Sequence, residues 1–195
     1  MNILEEAKKI IKTEAVAVED LSEQLDQSFV DVVKAIHESQ GKVVVTGVGK
    51  SGHVGEKMAA TLSSTGTPSF FLHSTEGLHG DLGMVEKKDI VILISNSGET
   101  KEVLSLLPSL NTIGSIKIAI TSRSDSTLAK NCDYTLAYCY PTEADHLNLA
   151  PTTSSTLTLA LGDALAGTLS KMKNFANKDF LLFHPGGSLG EQLMG

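Results

Sequence analysis

Apolar residues recur every three or four positions along the first forty residues, and lysine and glutamate fill many of the intervals. One series begins with Ile3 and Ala7, and a second occupies 29–36 before it stops at Gly41. Spacing of this kind predicts amphipathic helices, and glycine is common just past a helix C-terminus. The chain is therefore expected to open with N-terminal helices.

The pattern changes after residue 42 to short, continuous apolar runs. These runs lie at 43–45, 69–72, 90–94, 116–120 and 134–137. Helical stretches are expected between and after them, at 51–64, 101–110, 126–130 and 152–172. Continuous apolar runs are typical of strands buried on both faces, as in a parallel sheet covered by helices. The sequence thus predicts an α/β fold, a doubly wound sheet of about five parallel strands flanked by helices.

The stretch 152–172 is apolar on nearly all sides. A helix of this kind is expected to be buried, and a subunit interface is one place that would bury it. Asp163 and several threonines argue against a membrane span. Because the chain shows no internal repeat, low-complexity tract or linker, we predict one domain over 1–195.

Charge and targeting signals exclude several classes of function. The 195 residues carry a formal charge of −7 and a pI near 5.3, which disfavours a general binder of nucleic acid or of anionic membranes. The N-terminus has acidic residues where a signal peptide needs a basic start, and no apolar run approaches the ~20 residues of a membrane span. We therefore expect a cytoplasmic protein. Cys132 and Cys139 are too few for a disulfide framework and are expected to be buried or half-buried thiols.

A glycine-rich turn, GVGKSG at 47–52, follows the first predicted strand and opens a helix. It fits the dinucleotide-binding pattern, but an acidic residue arrives only at Glu76, late for a ribose contact. A P-loop is excluded because Val44 stands where that motif needs glycine. Glycines such as Gly49 let the backbone approach a ligand, and Ser51 begins a helix whose N-terminus attracts anions. The alternative is a tight turn that binds nothing.

A second loop, SNSGET at 95–100, follows the strongest predicted strand and also opens a helix. It offers three hydroxyls, an amide and unpaired helix N–H groups, which together can wrap a phosphate without a positive charge. The alternative, in which Ser97 or Thr100 is only a helix cap with Glu99 in the first turn, explains one hydroxyl but not three. Both loops follow parallel strands, where open α/β sheets bind ligands.

Six motifs together resemble the sugar isomerase (SIS) domain, whose fold is flavodoxin-like. They are GVGKSG, LHGDLG, SNSGET, TSRSDSTLAK, EADHLNLAPTTSSTLTLALGDALA and FHPGGSLG, and the likeness runs from residue 3 to the end. Within that family the motifs are most similar to the enzymes that interconvert ribulose 5-phosphate and arabinose 5-phosphate, a precursor of the Kdo sugar of lipopolysaccharide. The resemblance implies a small sugar phosphate as ligand, with no cofactor or metal. It also implies a homo-oligomer, dimer or tetramer, with the site at a subunit boundary and a histidine donated by a neighbour.

The resemblance also implies roles for individual residues. Those expected to bind substrate, chiefly its phosphate, are Gly49, Ser51, Ser95, Asn96, Ser97 and Thr100, with His79 lining the site. Those that match catalytic positions are Lys50, Glu99, Glu143 and His184.

An aldose–ketose isomerase needs a base beside the carbonyl, a group that stabilises the enediolate, and a proton shuttle between oxygens. A carboxylate in a partly dry pocket suits the base because desolvation raises its pKa. Glu143 is the first choice because it matches the family's position, and a solvated loop carboxylate is the alternative that the residues alone would favour. Glu99 is the second choice, with a structural helix-start charge as its alternative. Lys50 suits the oxyanion, and His184, before the turn PGG at 185–187, suits proton shuttling.

The sequence departs from the family in two places. DHLN at 145–148 replaces a common Cys-Pro-Leu-Gly beside Glu143, which is expected to alter the loop or even the substrate. Many relatives continue into a pair of CBS domains, whereas this sequence stops at Gly195, so we expect a stand-alone enzyme or an isomerase domain of a longer chain. The alternatives are an isomerase for a hexulose or heptose phosphate, a non-catalytic sugar-phosphate sensor, and, more distantly, a nucleotide-binding module.

Overall fold

The computed structural model describes residues 2–185, and within them a five-stranded parallel sheet is flanked by helices. The strands are β1 (Val43–Gly47), β2 (Ser69–His73), β3 (Ile90–Ile94), β4 (Ile116–Thr121) and β5 (Tyr134–Ala137). They lie in the order β2-β1-β3-β4-β5, and every neighbouring pair is parallel. The predicted doubly wound α/β fold is confirmed.

Helices cover both faces of this sheet. They are α1 (Ile3–Gln24), α2 (Gln27–Glu38), α3 (Gly49–Ser64), α4 (Ser74–Gly77), α5 (Lys101–Leu104), α6 (Leu107–Ile113), α7 (Thr127–Lys130), α8 (Thr153–Met172) and α9 (Asn177–Phe183), with a 3₁₀ turn at Asp81–Met84. The N-terminal helices, α3 and α8 match the predicted stretches. The short helix predicted at 126–130 is α7. The short helices α4 and α9 and the 3₁₀ turn were not predicted, because their sequences show no apolar periodicity of their own.

Strand β3 shows why the apolar runs are continuous. Ile90, Ile92 and Ile94 pack into the layer formed by α1, α2, α3 and α8, whereas Val91 and Leu93 pack into the layer that contains α5, α6 and α7. Successive side chains of a strand point to opposite faces, so both sets must be apolar. Each fully buried side chain of this kind stabilises the fold by roughly 1.5–3 kcal/mol.

Local sequence signals explain where helices break. The first forty residues form two helices because Asp26 caps α2, its carboxylate accepting the N–H of Ser28 at 2.8 Å. The single helix predicted over 101–110 is instead split into α5 and α6. Pro108 lies in the first turn of α6, where its missing N–H costs nothing, so the helix restarts there.

Helix α8 is buried on one face only. Leu157, Leu161 and Leu165 are buried against α3 and the sheet, whereas Asp163 and Gly167 are exposed. The expected burial is thus met on one face within the chain, and burial of the other face at a subunit interface stays a prediction.

Candidate active site

The order of the strands reverses direction between β1 and β3, and at such a point the carboxyl ends of the strands leave a crevice. The glycine turn after β1 and the SNSGET loop after β3 meet there. A Cβ placed on Gly47 would lie 3.3 Å from the carbonyl oxygen of Ile94. Gly49 begins α3 with a φ of 57°, a left-handed conformation that favours glycine. Ser51, in the first turn of α3, lines a small gap that Asn96 also lines.

The SNSGET loop folds on itself through its hydroxyls. Ser95 Oγ lies 2.7 Å from Thr100 Oγ1 and accepts a hydrogen bond from the N–H of Gly98 at 3.1 Å. Ser97 Oγ accepts a hydrogen bond from the N–H of Glu99 at 3.2 Å. Ser95 is buried and Ser97 is exposed, so the hydroxyls order one compact loop with Ser97 on its outer side.

Glu99 faces away from α8. Its Oε1 accepts the N–H of Thr127 at 2.8 Å, and this hydrogen bond holds the pKa of Glu99 below its usual value. Thr127 begins α7, whose Leu128 packs into the opposite layer from α8. The hydrogen bond from Thr127 thus supports the structural alternative for Glu99, in which its charge orders the phosphate loop.

Glu143 caps α8. Its Oε2 accepts the N–H groups of Thr152 at 2.9 Å and Ser154 at 3.1 Å, and its Oε1 accepts the hydroxyl of Ser154 and, at 2.9 Å, that of Tyr140. Burial opposes ionisation, but the hydrogen bonds, those from Ser154 foremost, outweigh it and hold the pKa of Glu143 below its ordinary value. The expected raised pKa is therefore wrong. The solvated alternative is also wrong, since the residue is 8 % exposed.

The loop after Glu143 is closed by its own side chains. Asn148 Oδ1 accepts the N–H of Glu143 at 2.7 Å, and Asn148 itself has a φ of 54°. The carboxylate of Asp145 accepts the N–H groups of Leu147 at 2.9 Å and of Leu149 and Ala150 at 2.8 Å. The DHLN segment therefore builds a self-contained turn that fixes the backbone of Glu143.

Two tyrosines that the sequence analysis missed join the SNSGET loop to Glu143. The amide of Asn96 donates to Tyr140 at 2.9 Å and accepts from the buried Tyr138 at 3.1 Å. The sequence does contain a signal for this network. Two tyrosines lie two positions apart just past β5, and hydroxyl residues, Thr152 and Ser154, lie at the start of the next helix.

A polar cavity of about 480 Å³ lies over this network. Its lining comprises Asn96, Ser122, Cys139, Tyr140, Pro141, Thr142, Glu143, Asn148 and Leu149. Cavities of this size hold small ligands. Cys139 is exposed, contrary to expectation, whereas burial raises the pKa of the Cys132 thiol to about 12.

Among residues 2–185, the side chains of Lys50, His79 and His184 make no hydrogen bond to Glu143. Lys50 is exposed in the first turn of α3, and His79 is exposed in the turn after α4. His184 follows α9, with its Nδ1 2.9 Å from the carbonyl oxygen of Phe180 and its ring stacked on that of Phe180. The residue before His184, Phe183, stacks on Phe175 just past the end of α8 and lies beside the end of α3. Glu143 contacts the opposite end of α8, a helix of 20 residues that spans about 30 Å. One chain does not bring His184 to Glu143, and the glycines of the predicted PGG turn lie outside the described residues.

We expect the contribution of Glu143 to stability to depend on pH in the acid range. Its folded-state pKa is lowered from 4.5, so the ionised cap stabilises the fold fully above about pH 4.5 and loses that effect as pH falls through the folded-state pKa. Urea unfolding of the wild type and of Glu143→Gln between pH 7 and pH 3.5 should show a difference in unfolding free energy that shrinks below pH 4.5. A difference that is constant across this range would contradict the prediction.

Residues 2–185 contain neither a candidate membrane span nor a candidate metal cluster. No helix there is long and apolar enough to cross a membrane. No cluster of three or more His, Cys, Asp or Glu side chains with the geometry of a metal site occurs in that part of the chain.

The fold and site define a doubly wound α/β protein with a polar ligand cavity at the carboxyl edge of its sheet. The chain belongs to the SIS domain family, whose model matches residues 36–167.

Two relatives that are similar over nearly the whole chain are both named as arabinose 5-phosphate isomerases. A probable arabinose 5-phosphate isomerase from Haemophilus influenzae is 52 % identical over 194 residues, which are 100 % of this chain and 58 % of the relative. The arabinose 5-phosphate isomerase KpsF of Escherichia coli is 49 % identical over 193 residues, 98 % of this chain and 61 % of the relative. The chain thus spans about three fifths of the length of these curated relatives.

A solved structure from E. coli CFT073, in complex with arabinose 5-phosphate, is 49 % identical and superimposes with a TM-score of 0.92. The match covers 95 % of this chain and 100 % of that one.

Proposed function

We propose that the chain is an aldose–ketose isomerase that interconverts D-ribulose 5-phosphate and D-arabinose 5-phosphate. The observation that carries this proposal is the E. coli CFT073 structure in complex with arabinose 5-phosphate, which is similar over 95 % of this chain at 49 % identity. The polar cavity beside Glu143 supports it, because its volume suits a five-carbon sugar phosphate.

The phosphate is held without a basic surface, in keeping with the charge of −7. Within the described residues no side chain caps α3, so its first-turn N–H groups, at Gly49 to Ser51, are available to an anion. The first turn of α8 is already occupied by Glu143. We therefore place the phosphate between the start of α3 and the SNSGET loop, with hydroxyls of Ser51 and Ser97 as further donors.

The reaction moves the carbonyl between C1 and C2. The base, Glu143, removes a proton from the carbon beside the carbonyl, giving a 1,2-enediolate. The ammonium group of Lys50 stabilises the oxyanion, and His184 moves a proton between the two oxygens. Glu143 then returns its proton to the neighbouring carbon, so no atom is gained or lost. Glu99 is the second candidate for the base.

His184 joins the site from a second copy of the chain in this proposal, because about 30 Å of helix separates it from Glu143 within one copy. The exposed apolar side chains of α1, among them Ile3, Leu4 and Ile11, offer a surface for such an assembly. We propose a dimer or tetramer with the site at its subunit boundary, one domain per chain, and a cytoplasmic role in supplying the Kdo sugar of lipopolysaccharide.

The proposal is tested by incubation of the protein with ribulose 5-phosphate in deuterated water. We expect arabinose 5-phosphate that carries deuterium at C2, because the enediolate is reprotonated there by a base that exchanges with solvent. Mass spectrometry and ²H NMR of the product measure this. Tight binding without turnover would indicate the non-catalytic sensor instead. A panel of five- to seven-carbon sugar phosphates, run in parallel, distinguishes the proposed substrate from a hexulose or heptose phosphate.

A further inference from the structure

The hydroxyl of Tyr140 lies between two residues that are far apart in the sequence, Asn96 and Glu143. It accepts a hydrogen bond from Asn96 Nδ2 in the SNSGET loop at 2.9 Å and lies 2.9 Å from Glu143 Oε1. The ring is half-buried in the wall of the cavity. One oxygen atom thus touches both the predicted phosphate loop and the predicted base.

The direction of this chain of hydrogen bonds is fixed. The amide nitrogen of Asn96 can only donate, so the oxygen of Tyr140 must accept, and its single proton goes to Glu143. Asn96 is itself held from two sides. Its side-chain Oδ1 accepts a hydrogen bond from the hydroxyl of Tyr138 at 3.1 Å, and its backbone carbonyl oxygen accepts one from the N–H of Ser122 at 2.9 Å. The amide is therefore a rigid support, and Tyr140 transmits its position to the carboxylate.

We propose that Tyr140 is a positioning residue that couples the SNSGET loop to the carboxylate of Glu143 and so sets the distance between the phosphate end and the reacting end of the substrate. This inference rests on the proposed function. Two contacts of 2.9 Å through one oxygen leave little freedom in that distance. A misplacement of about 1 Å in such a site costs up to about 100-fold in rate.

The other groups around the carboxylate do not make this link. Thr152 and Ser154 are neutral donors from α8 and have no hydrogen bond to Asn96 among the described residues. Of the two titratable neighbours, Tyr138 and Tyr140, only Tyr140 donates to Glu143 within that part of the chain. Removal of the Tyr140 hydroxyl should therefore change both the pKa of Glu143 and the position of its carboxylate relative to the SNSGET loop.

The test is Tyr140→Phe in the full chain, with Tyr134→Phe as the matched control. Tyr134 packs on the core from β5, on the strand that precedes this network. We expect Tyr140→Phe to lower kcat about tenfold or more with KM changed by less than about threefold. We also expect the acid limb of the kcat profile to move to higher pH, because a carboxylate that loses a donor has a higher pKa. Tyr134→Phe should change neither.

A second measurement does not need turnover. The ¹³C resonance of the Glu143 carboxyl, assigned by its loss in Glu143→Gln, reports its titration directly. We expect the pKa of Glu143 to rise in Tyr140→Phe. We expect a smaller rise in Asn96→Ala, because Asn96 contacts Tyr140 and not Glu143 itself. A wild type that turns over no sugar phosphate would refute the proposed function, while this titration still tests the coupling. An unmoved titration in both variants, with or without a loss of stability, would overturn the inference.

Discussion

Replacement of Glu143 by glutamine is expected to lower turnover by roughly 100-fold or more while substrate affinity stays within about threefold. The amide cannot remove the proton beside the carbonyl, whereas the phosphate loop is unchanged. Steady-state kinetics with ribulose 5-phosphate, and calorimetric titration of the same ligand, measure the two quantities. Glu19→Gln, an exposed change on α1 of the same chemistry, is the matched control and should leave both unaffected.

The same change has a structural cost that must be measured separately. The carboxylate of Glu143 faces N–H and O–H donors on both oxygens, and an amide NH₂ placed among donors leaves at least one of them unpaired. We expect a loss of about 1–3 kcal/mol in unfolding free energy, so the kinetics are to be taken well below the unfolding transition. If Glu99→Gln loses two orders of magnitude and Glu143→Gln does not, the base is Glu99.

Replacement of Gly98 by alanine is expected to destabilise the protein by roughly 2–4 kcal/mol. Gly98 has a φ of 68°, and a Cβ there would lie 2.1 Å from Ser126 Oγ and 2.3 Å from Ser126 Cβ. Ser126 cannot retreat freely, because its hydroxyl caps α7 by accepting the N–H of Ala129 at 3.2 Å. The new methyl group must displace the SNSGET loop, so affinity for the sugar phosphate should fall as well.

Gly167→Ala is the matched control for this change. Gly167 lies within α8, is exposed, and has no atom within 4 Å of a built Cβ among the described residues. Alanine there should stabilise the protein by about 0.5–1 kcal/mol, since glycine is a poor helix former. Urea unfolding of both variants decides the matter. A Gly98→Ala protein as stable as the wild type would show that neither the positive φ nor the contact with Ser126 constrains the loop.

Much of the fold could be predicted because it rests on short-range patterns. The run 90–94 is apolar at every position because β3 is covered on both faces, and this is visible without coordinates. The split of 101–110 into α5 and α6 was harder, because the propensity of its residues for helix conceals the effect of Pro108. The short helix α9 leaves almost no periodic signal.

The sequence predicted which loops form the candidate site, but not which side chains contact one another within it. The two loops after β1 and β3 were found from glycines and hydroxyls, since these residue types mark turns and anion sites wherever they occur. The lowered pKa of Glu143 and the role of Tyr140 were not found. Both depend on residues 9 to 44 positions away in the chain, at Thr152 and Asn96 among others, and no local pattern reports such contacts.

The sequence by itself therefore determined the α/β class, the parallel sheet and the two loops that face a ligand, because periodicity and turn chemistry are local properties. Only the tertiary structure decided what Glu143 and Glu99 contact, since the start of α8 surrounds one carboxylate with donors and the start of α7 engages the other. It also placed His184 near the end of α8 that lies opposite Glu143. The physical reason is that hydrogen bonds act over about 3 Å, so a side chain's protonation and partners are set by whichever elements the fold packs around it.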